Sequence, residues 1–387
     1  MDFTFTEEHK MLQRECRKFC EKEIAPYVEE LDRRERTPYE SIRKLAKQGY
    51  LSVTMPEEYG GAGADMLSAA IISIEMSRVC PSTALSAGAS TLLFGGSVYH
   101  VGNEEQKKKY LKPIVKGEKI GCWGMTEPGA GSDVITLKST AKKDGDYYIL
   151  NGQKTFITNA PYADFFVVYA VTDKSLGHRG VSAFILERGM EGLSTGEPFD
   201  KMGMRGSPTG EIFMEDLKIH KSQLLGTENR GFYDALLSMN DERALAPTLA
   251  IGIMETCLET SVKYAKERVQ FGQSIAFFQA IQFKLARMYV AIENSRTTLY
   301  QLLWMIEQGI DWIKAHKSEF AMKASAAKLY SSEMATQCAL DAIQIHGGYG
   351  YMKEYHMERF MRDAKLMEIG AGTSEIQQLI IARELIK

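Results

Sequence analysis

The 387-residue chain is predicted to be an α+β multidomain protein. It should have an N-terminal helical domain, a central antiparallel β-domain and a C-terminal four-helix bundle. Three observations predict this. Apolar residues recur at helical spacing up to about residue 115. Short β-branched and aromatic runs, separated by glycine turns, follow to about residue 235. Helical spacing then returns in segments long enough to bundle. The expected domains are 1–118, 119–235 and 236–387.

The first helix starts at Thr6-Glu7-Glu8-His9, a hydroxyl N-cap with acids in the first turn. Helical patterning continues to about Tyr50, interrupted near Pro26 and Pro38. The glycine-rich stretch 55–63 reads as loop. Helices are expected over 66–79, 83–95 and 104–116. Strands are expected over 147–150, 164–171, 181–186 and 211–214, with turns at Asp144-Gly145, Asn151-Gly152 and 177–180. Helices should then span roughly 231–270, 277–308, 313–345 and 372–385. Pro247 lacks an N–H, so the helix around it should bend or loosen.

Composition narrows the function. Apolar residues make up 44% and the net charge is −3, which gives no general attraction to nucleic acid or anionic membrane. The six cysteines form no Cys-x-x-Cys pair and read as reduced thiols, with no metal site expected. The acidic N-terminus has no leader pattern, and no apolar run reaches membrane-spanning length. A bacterial cytoplasm is expected, although a mature organellar protein would read the same. Neither a Gly-x-Gly-x-x-Gly after a strand nor a P-loop occurs.

Five stretches carry chemistry. Residues 121–133, Gly-Cys-Trp-Gly-Met-Thr-Glu-Pro-Gly-Ala-Gly-Ser-Asp, run from an extended segment into a glycine turn that can approach a ligand closely. Residues 151–160 hold Phe156 and Thr158. Residues 267–282 contain Glu-Arg-Val-Gln-Phe-Gly-Gln and a following helix start. Gln344-Ile-His-Gly-Gly-Tyr-Gly-Tyr and Glu368-Ile-Gly-Ala-Gly-Thr-Ser-Glu complete the set, the latter opening a helix capped by Thr373 or Ser374.

In order and spacing, the segments 124–133, 268–282, 344–351 and 372–377 resemble the acyl-CoA dehydrogenase family, over essentially the whole chain. The resemblance implies that family's three-domain fold, a bound FAD and a homotetramer built as a dimer of dimers. It implies Trp123, Met125 and Thr126 near the flavin ring and Ser132 near the phosphates. The family's second flavin strand carries Trp-x-Thr; here it reads Phe156-Ile157-Thr158, with Thr158 expected near flavin N5. Arg268, Phe271, Gln344, Gly347 and Gly348 resemble residues that hold the FAD of the adjacent subunit. Thr373 and Glu375 would lie near the adenosine half. Leu85, Ala89 and Leu93 would line the acyl pocket.

The implied reaction takes a proton from Cα of an acyl-CoA and a hydride from Cβ. A backbone N–H, at the position occupied here by Ala371, would hydrogen-bond the thioester oxygen. Most relatives carry the catalytic Glu at that position, within Tyr-Glu-Gly-Thr. A minority, including isovaleryl-CoA dehydrogenases, carry it on the first helix of the C-terminal domain, just before an Arg. Here that position reads Asn240-Asp241-Glu242-Arg243, which makes Glu242 the candidate base and Arg243 a residue at the site's edge. Glu368 is expected to be structural. The Ile-Gly-Ala-Gly-Thr-Ser-Glu run resembles that of isovaleryl-CoA dehydrogenase, which implies a short, branched or cyclic acyl group, and the family resemblance implies an electron-transfer flavoprotein as electron acceptor. An oxidase of the acyl-CoA or nitroalkane type, and a non-catalytic acyl-CoA-binding relative, are the alternatives.

Overall fold

A computed structural model describes residues 4–34 and 36–387. Met1–Phe3, which open the acidic N-terminal run, lie outside it. The helices before the sheet are α1 (Glu7–Glu23), α2 (Val28–Arg33), α3 (Tyr39–Lys47), α4 (Met66–Val79), α5 (Pro81–Gly88), α6 (Gly96–Val101) and α7 (Glu104–Val115). Thr6 caps α1 as expected, its hydroxyl accepting from the His9 N–H. The helix expected over 83–95 runs longer. A π-helical segment, Ala89–Gly95, joins α5 to α6, so helical backbone extends from Pro81 to Val101. Such one-turn π segments re-aim side chains and recur at functional sites.

The sheet has eight strands: β1 (Gly121–Gly124), β2 (Thr140–Asp144), β3 (Tyr147–Thr158), β4 (Phe165–Val171), β5 (Val181–Glu187), β6 (Leu193–Thr195), β7 (Thr209–His220) and β8 (Leu224–Leu225). Their order is β6-β7-β3-β2-β4-β5-β8, with β1 beside β4. Five pairings are antiparallel, as the hairpin signals predict. β1 and β2 add parallel pairings along β4, so the sheet is mixed. The chain leaves β1 through the glycine turn and returns as β2 without reversing against it, a path that hairpin turn signals do not register.

Asn151-Gly152 is not a turn. It lies inside β3 at a register shift, a β-bulge. Gly152 has φ +147°, and a Cβ there would stand 2.3 Å from Ser139 Oγ, so the bulge requires glycine. The Asn151 side chain spans it, donating to Asp216 at 3.0 Å and accepting from the Asp216 N–H at 2.8 Å.

After the sheet come α8 (Gly231–Glu267), short strands β9 (Val269–Gln270) and β10 (Gln273–Ser274), α9 (Gln279–Glu307), α10 (Ile310–Ala315), α11 (Lys317–His346), α12 (Met357–Ile369) and α13 (Ser374–Leu385). The helix α12 was not expected from the sequence. α8 runs unbroken through Pro247. Beside that proline, Ser73 of α4 bonds Thr248 at 2.6 Å and Ser77 donates to the Leu249 carbonyl at 2.7 Å. One apolar core joins α4, α8, α9, α11 and α12, including Ile74, Ile251, Met288, Ala339 and Phe360. A charge network crosses the same junction. Arg17 pairs with buried Glu75 at 2.8 Å, while Arg78 and Arg296 both pair with buried Glu255, at 2.7 and 2.6 Å. All six cysteines are free and buried.

Candidate functional site

β1 delivers the glycine turn. Gly121 has no room for a side chain: a Cβ would stand 2.4 Å from the Phe94 ring, and its N–H donates to Ser90 Oγ at 2.9 Å. This locks the strand to the π segment. Trp123 is half-buried and donates to the Tyr169 hydroxyl at 2.9 Å. Met125 is buried, and Thr126 is half-buried with its carbonyl accepting from the Thr155 N–H at 2.9 Å. Ser132 is exposed on the turn. Space is open around Gly129 and Gly131.

The turn is held by a pair that sequence reasoning missed. Lys154 of β3 is fully buried and donates to Glu127 at 2.7 Å and to the Met125 carbonyl at 3.2 Å. Glu127 also accepts from the Lys138 and Ser139 N–H groups, at 2.6 and 3.0 Å. Burial alone would raise the Glu127 carboxyl, but Lys154 and these donors hold it below its usual range. Lys154 is the more deeply buried partner, and desolvation pulls its ammonium down to about 8. A lone Lys in a strand gives no local sign of this role.

A second register shift in β3 throws Phe156 outward. It has φ +58°, is 68% exposed, and rests against Phe199 at 5.6 Å. An exposed aromatic on strained backbone has a ligand-facing geometry. Thr158, half-buried, follows on the same strand.

A separate cleft of about 570 Å³ lies where α8 and α11 end. It gathers Arg268, Phe271, Gly347 and Gly348 with Tyr264, His346 and Tyr349. The Arg268 guanidinium lies 5.7 Å from the Tyr349 ring centre. Gln344 is exposed but does not line the cleft; its carbonyl caps α11 by accepting from the Gly347 N–H. His346 was not anticipated. It stacks on Tyr264 at 4.3 Å, and its Nδ1 bonds the Ala342 carbonyl at 2.8 Å. Its Nε2 is buried without a partner, and burial lowers the imidazole pKa. A neutral ring with a free lone pair suits a hydroxyl or amino donor of a ligand. The open glycine turn, the outward Phe156 and this cleft fit the parts of a flavin dinucleotide.

Glu242, Arg243, Lys328 and Ala371 come from α8, α11 and the loop before α13. Burial pushes the Glu242 carboxyl above its usual range, against the pull of Arg243 and Lys328. Burial likewise lowers the Arg243 guanidinium, and its Nε is buried with no partner among the described residues. Ala371 has φ +54°, followed by Gly372 at φ +90°. The Gln377 amide holds this turn by donating to the Ala371 and Gly372 carbonyls at 3.3 and 3.0 Å. Lys328, another residue with no sequence signal, donates to the same Gly372 carbonyl at 2.8 Å. Thr373, not Ser374, caps α13. Glu375 is exposed in its first turn, and its own backbone, Thr373 and nearby lysines hold its carboxyl low. Glu368 is engaged elsewhere, accepting from Thr336 at 2.5 Å and Lys365 at 2.7 Å.

On α5 and the π segment, Leu85, Leu92 and Leu93 are each half-buried. Ala89 is buried, 5% exposed.

Residues 6–118 match the acyl-CoA dehydrogenase N-terminal domain, 122–217 the middle domain and 229–386 the C-terminal domain. The chain is 44% identical to a 3-(aryl)acrylate reductase of Clostridium sporogenes, over 99% of this chain and all of the relative. It is 41% identical to the caffeyl-CoA reductase-Etf complex subunit CarC of Acetobacterium woodii, over 99% of each chain. It is also 41% identical to the mitochondrial isovaleryl-CoA dehydrogenase of Pongo abelii, over 98% of this chain and 88% of that one. Butyryl-CoA dehydrogenase from Megasphaera elsdenii superposes over the full length of both chains, with TM-score 0.93 and 37% identity. With all three domains matched in order and relatives aligned end to end, the chain belongs to the acyl-CoA dehydrogenase family of FAD-dependent oxidoreductases.

Proposed function

We propose that the protein removes hydrogen across Cα and Cβ of a short, branched or cyclic acyl-CoA, with Glu242 as the base. The observation that carries this is a desolvated Glu242 on α8 within electrostatic reach of Lys328, which bonds the Gly372 carbonyl of the loop where Ala371 stands in place of the acid that the family resemblance implies. A raised pKa makes Glu242 a stronger base for an activated α-proton. The Ala371 N–H stabilises charge developing on the thioester oxygen, and it does so whatever its side chain. The unpartnered Arg243 Nε supplies a further donor at the site's edge. Bound FAD supplies the hydride acceptor. Trp123, Met125, Thr126, Ser132, Phe156 and Thr158 would hold its flavin and phosphates. Leu85 and Leu93, with Leu92, suit an acyl chain.

Arg268, Phe271, His346, Gly347 and Gly348 would hold the dinucleotide of a neighbouring subunit within a homotetramer. Phe271, 93% exposed, and Tyr351, 82% exposed, support an assembly that covers them. An electron-transfer flavoprotein is the proposed electron acceptor, in keeping with the Etf complex named for the Acetobacterium relative.

The test is Glu242→Gln. It should retain FAD and bind acyl-CoA, yet lose about 10²–10⁴-fold in anaerobic flavin reduction, the usual worth of a general base. Near-normal reduction would refute the assignment. The segment 81–102 contains no carboxylate, so a 1,2-elimination product is expected. A second reading follows from the 44% identity to a 3-(aryl)acrylate reductase: the same site run in reverse on an aryl-substituted unsaturated thioester. Flavin bleaching by isovaleryl-CoA against reoxidation by a cinnamoyl-type thioester separates the two.

A further inference from the structure

We propose that Lys328 is a positioning residue for α-proton removal: its buried ammonium anchors the Gly372 carbonyl, and with it the Ala371 peptide, while compensating the charge of Glu242. This inference rests on Glu242 being the base. Lys328 lies mid-way along α11 and is 2% exposed. Its 2.8 Å bond to Gly372 crosses from α11 to the loop that presents the Ala371 N–H. That loop needs restraint, because Ala371 is a non-glycine residue at φ +54° beside a second left-handed residue. Gln377 restrains it from one side and Lys328 from another.

A neutral donor would satisfy the carbonyl equally well, whereas a buried ammonium is costly unless nearby charge offsets it. The acids within electrostatic reach are Glu242 on α8, Glu368 on α12, Glu333 on α11 itself and Glu375 on α13. Glu368 is already bonded to Thr336 and Lys365, and Glu375 is exposed. Among the described residues, Glu242 is the desolvated acid whose ionised form both Arg243 and Lys328 favour, and it heads the acids that favour the ammonium. Burial brings Lys328 down to about 8, so it is still cationic at neutral pH. Its charge favours the ionised form of Glu242, and its removal raises the pH at which Glu242 becomes a base.

The experiment isolates proton removal from hydride transfer. 3,3-Dimethylbutyryl-CoA has α-hydrogens but no hydrogen on Cβ, so its α-hydrogen/deuterium exchange, read by mass spectrometry, reports the base alone. Wild type, Lys328→Met and Lys328→Arg are compared as FAD-loaded proteins across pH 5–9. The acidic limb of the exchange profile should move up by about one pH unit in Lys328→Met, a roughly tenfold loss at the foot of the limb. Lys328→Arg should keep the wild-type limb. A uniform slowing of Lys328→Met with an unmoved limb would overturn the proposal and leave Lys328 as packing. Lys328→Gln takes its place, with the same expectation, if Lys328→Met does not fold. Glu242→Gln is run in parallel. Exchange that persists in it defeats the base assignment, and the Lys328 proposal with it. Exchange abolished there, alongside an unmoved limb in Lys328→Met, defeats only the latter.

Discussion

Replacing Lys154 by methionine tests how the glycine turn proposed to face the flavin is held. The substitution nearly conserves volume but leaves Glu127, 5% exposed, with only the Lys138 and Ser139 N–H groups as partners. Removing one member of a buried ion pair costs about 3–5 kcal/mol, because the other charge stays buried and uncompensated. The pair itself is worth much less. The fall of the Lys154 pKa from 10.5 to about 8 corresponds to roughly 3 kcal/mol of net penalty on the ammonium, the part of its desolvation that Glu127 does not offset. Lys154→Met with Glu127→Gln should therefore recover most of the loss, giving a coupling energy of about 2–3 kcal/mol in the double-mutant cycle. Urea unfolding of holoenzyme and apoenzyme gives the stabilities, and flavin fluorescence gives FAD affinity. Affinity should fall about tenfold in Lys154→Met, the equivalent of ~1.4 kcal/mol of turn distortion. The pH dependence has a definite sign. Between about 8 and 10.5 the folded lysine has released a proton that the unfolded one keeps, so wild-type stability gains on the variant as pH rises through that window. A loss below 1 kcal/mol in Lys154→Met, with wild-type FAD affinity, would refute the reasoning.

Three further outcomes are expected. Glu242→Ala combined with Ala371→Glu should regain part of the flavin-reduction rate lost in Glu242→Ala, because the two positions address one proton; no recovery in stopped-flow reduction would show that they do not. Arg268→Ala should lower FAD affinity and weaken the assembly together, read by flavin content and analytical ultracentrifugation, and unchanged FAD affinity would detach Arg268 from the cofactor. Ala371→Gly should raise the unfolding free energy by about 1 kcal/mol by relieving the left-handed alanine, with flavin reduction largely kept because the N–H remains; thermal melts and single-turnover reduction measure both.

The sequence by itself determined what local backbone chemistry encodes. The Thr6 cap, the break into glycine at 128–131 and the long C-terminal helices all follow from residues a few positions apart. The nomination of Glu242 comes instead from the family resemblance, which implies an acid at 371 or before Arg243, and only the second is present here. Only the tertiary structure decided the rest. Asn151-Gly152 has the composition of a hairpin turn, yet Ser139 and Asp216, packed against it, make it a bulge in a longer strand. Phe156 turns outward because β3 shifts register against β7. His346 acquires a free acceptor nitrogen only because its helix buries it against Tyr264. Lys154 and Lys328 look like ordinary surface lysines until the fold places them beside Glu127, 27 residues away, and Gly372, 44 residues away. The physical reason is range. Dihedral preferences and caps act within a turn or two of the chain, whereas desolvation and charge compensation exist only once packing excludes water around groups distant in sequence.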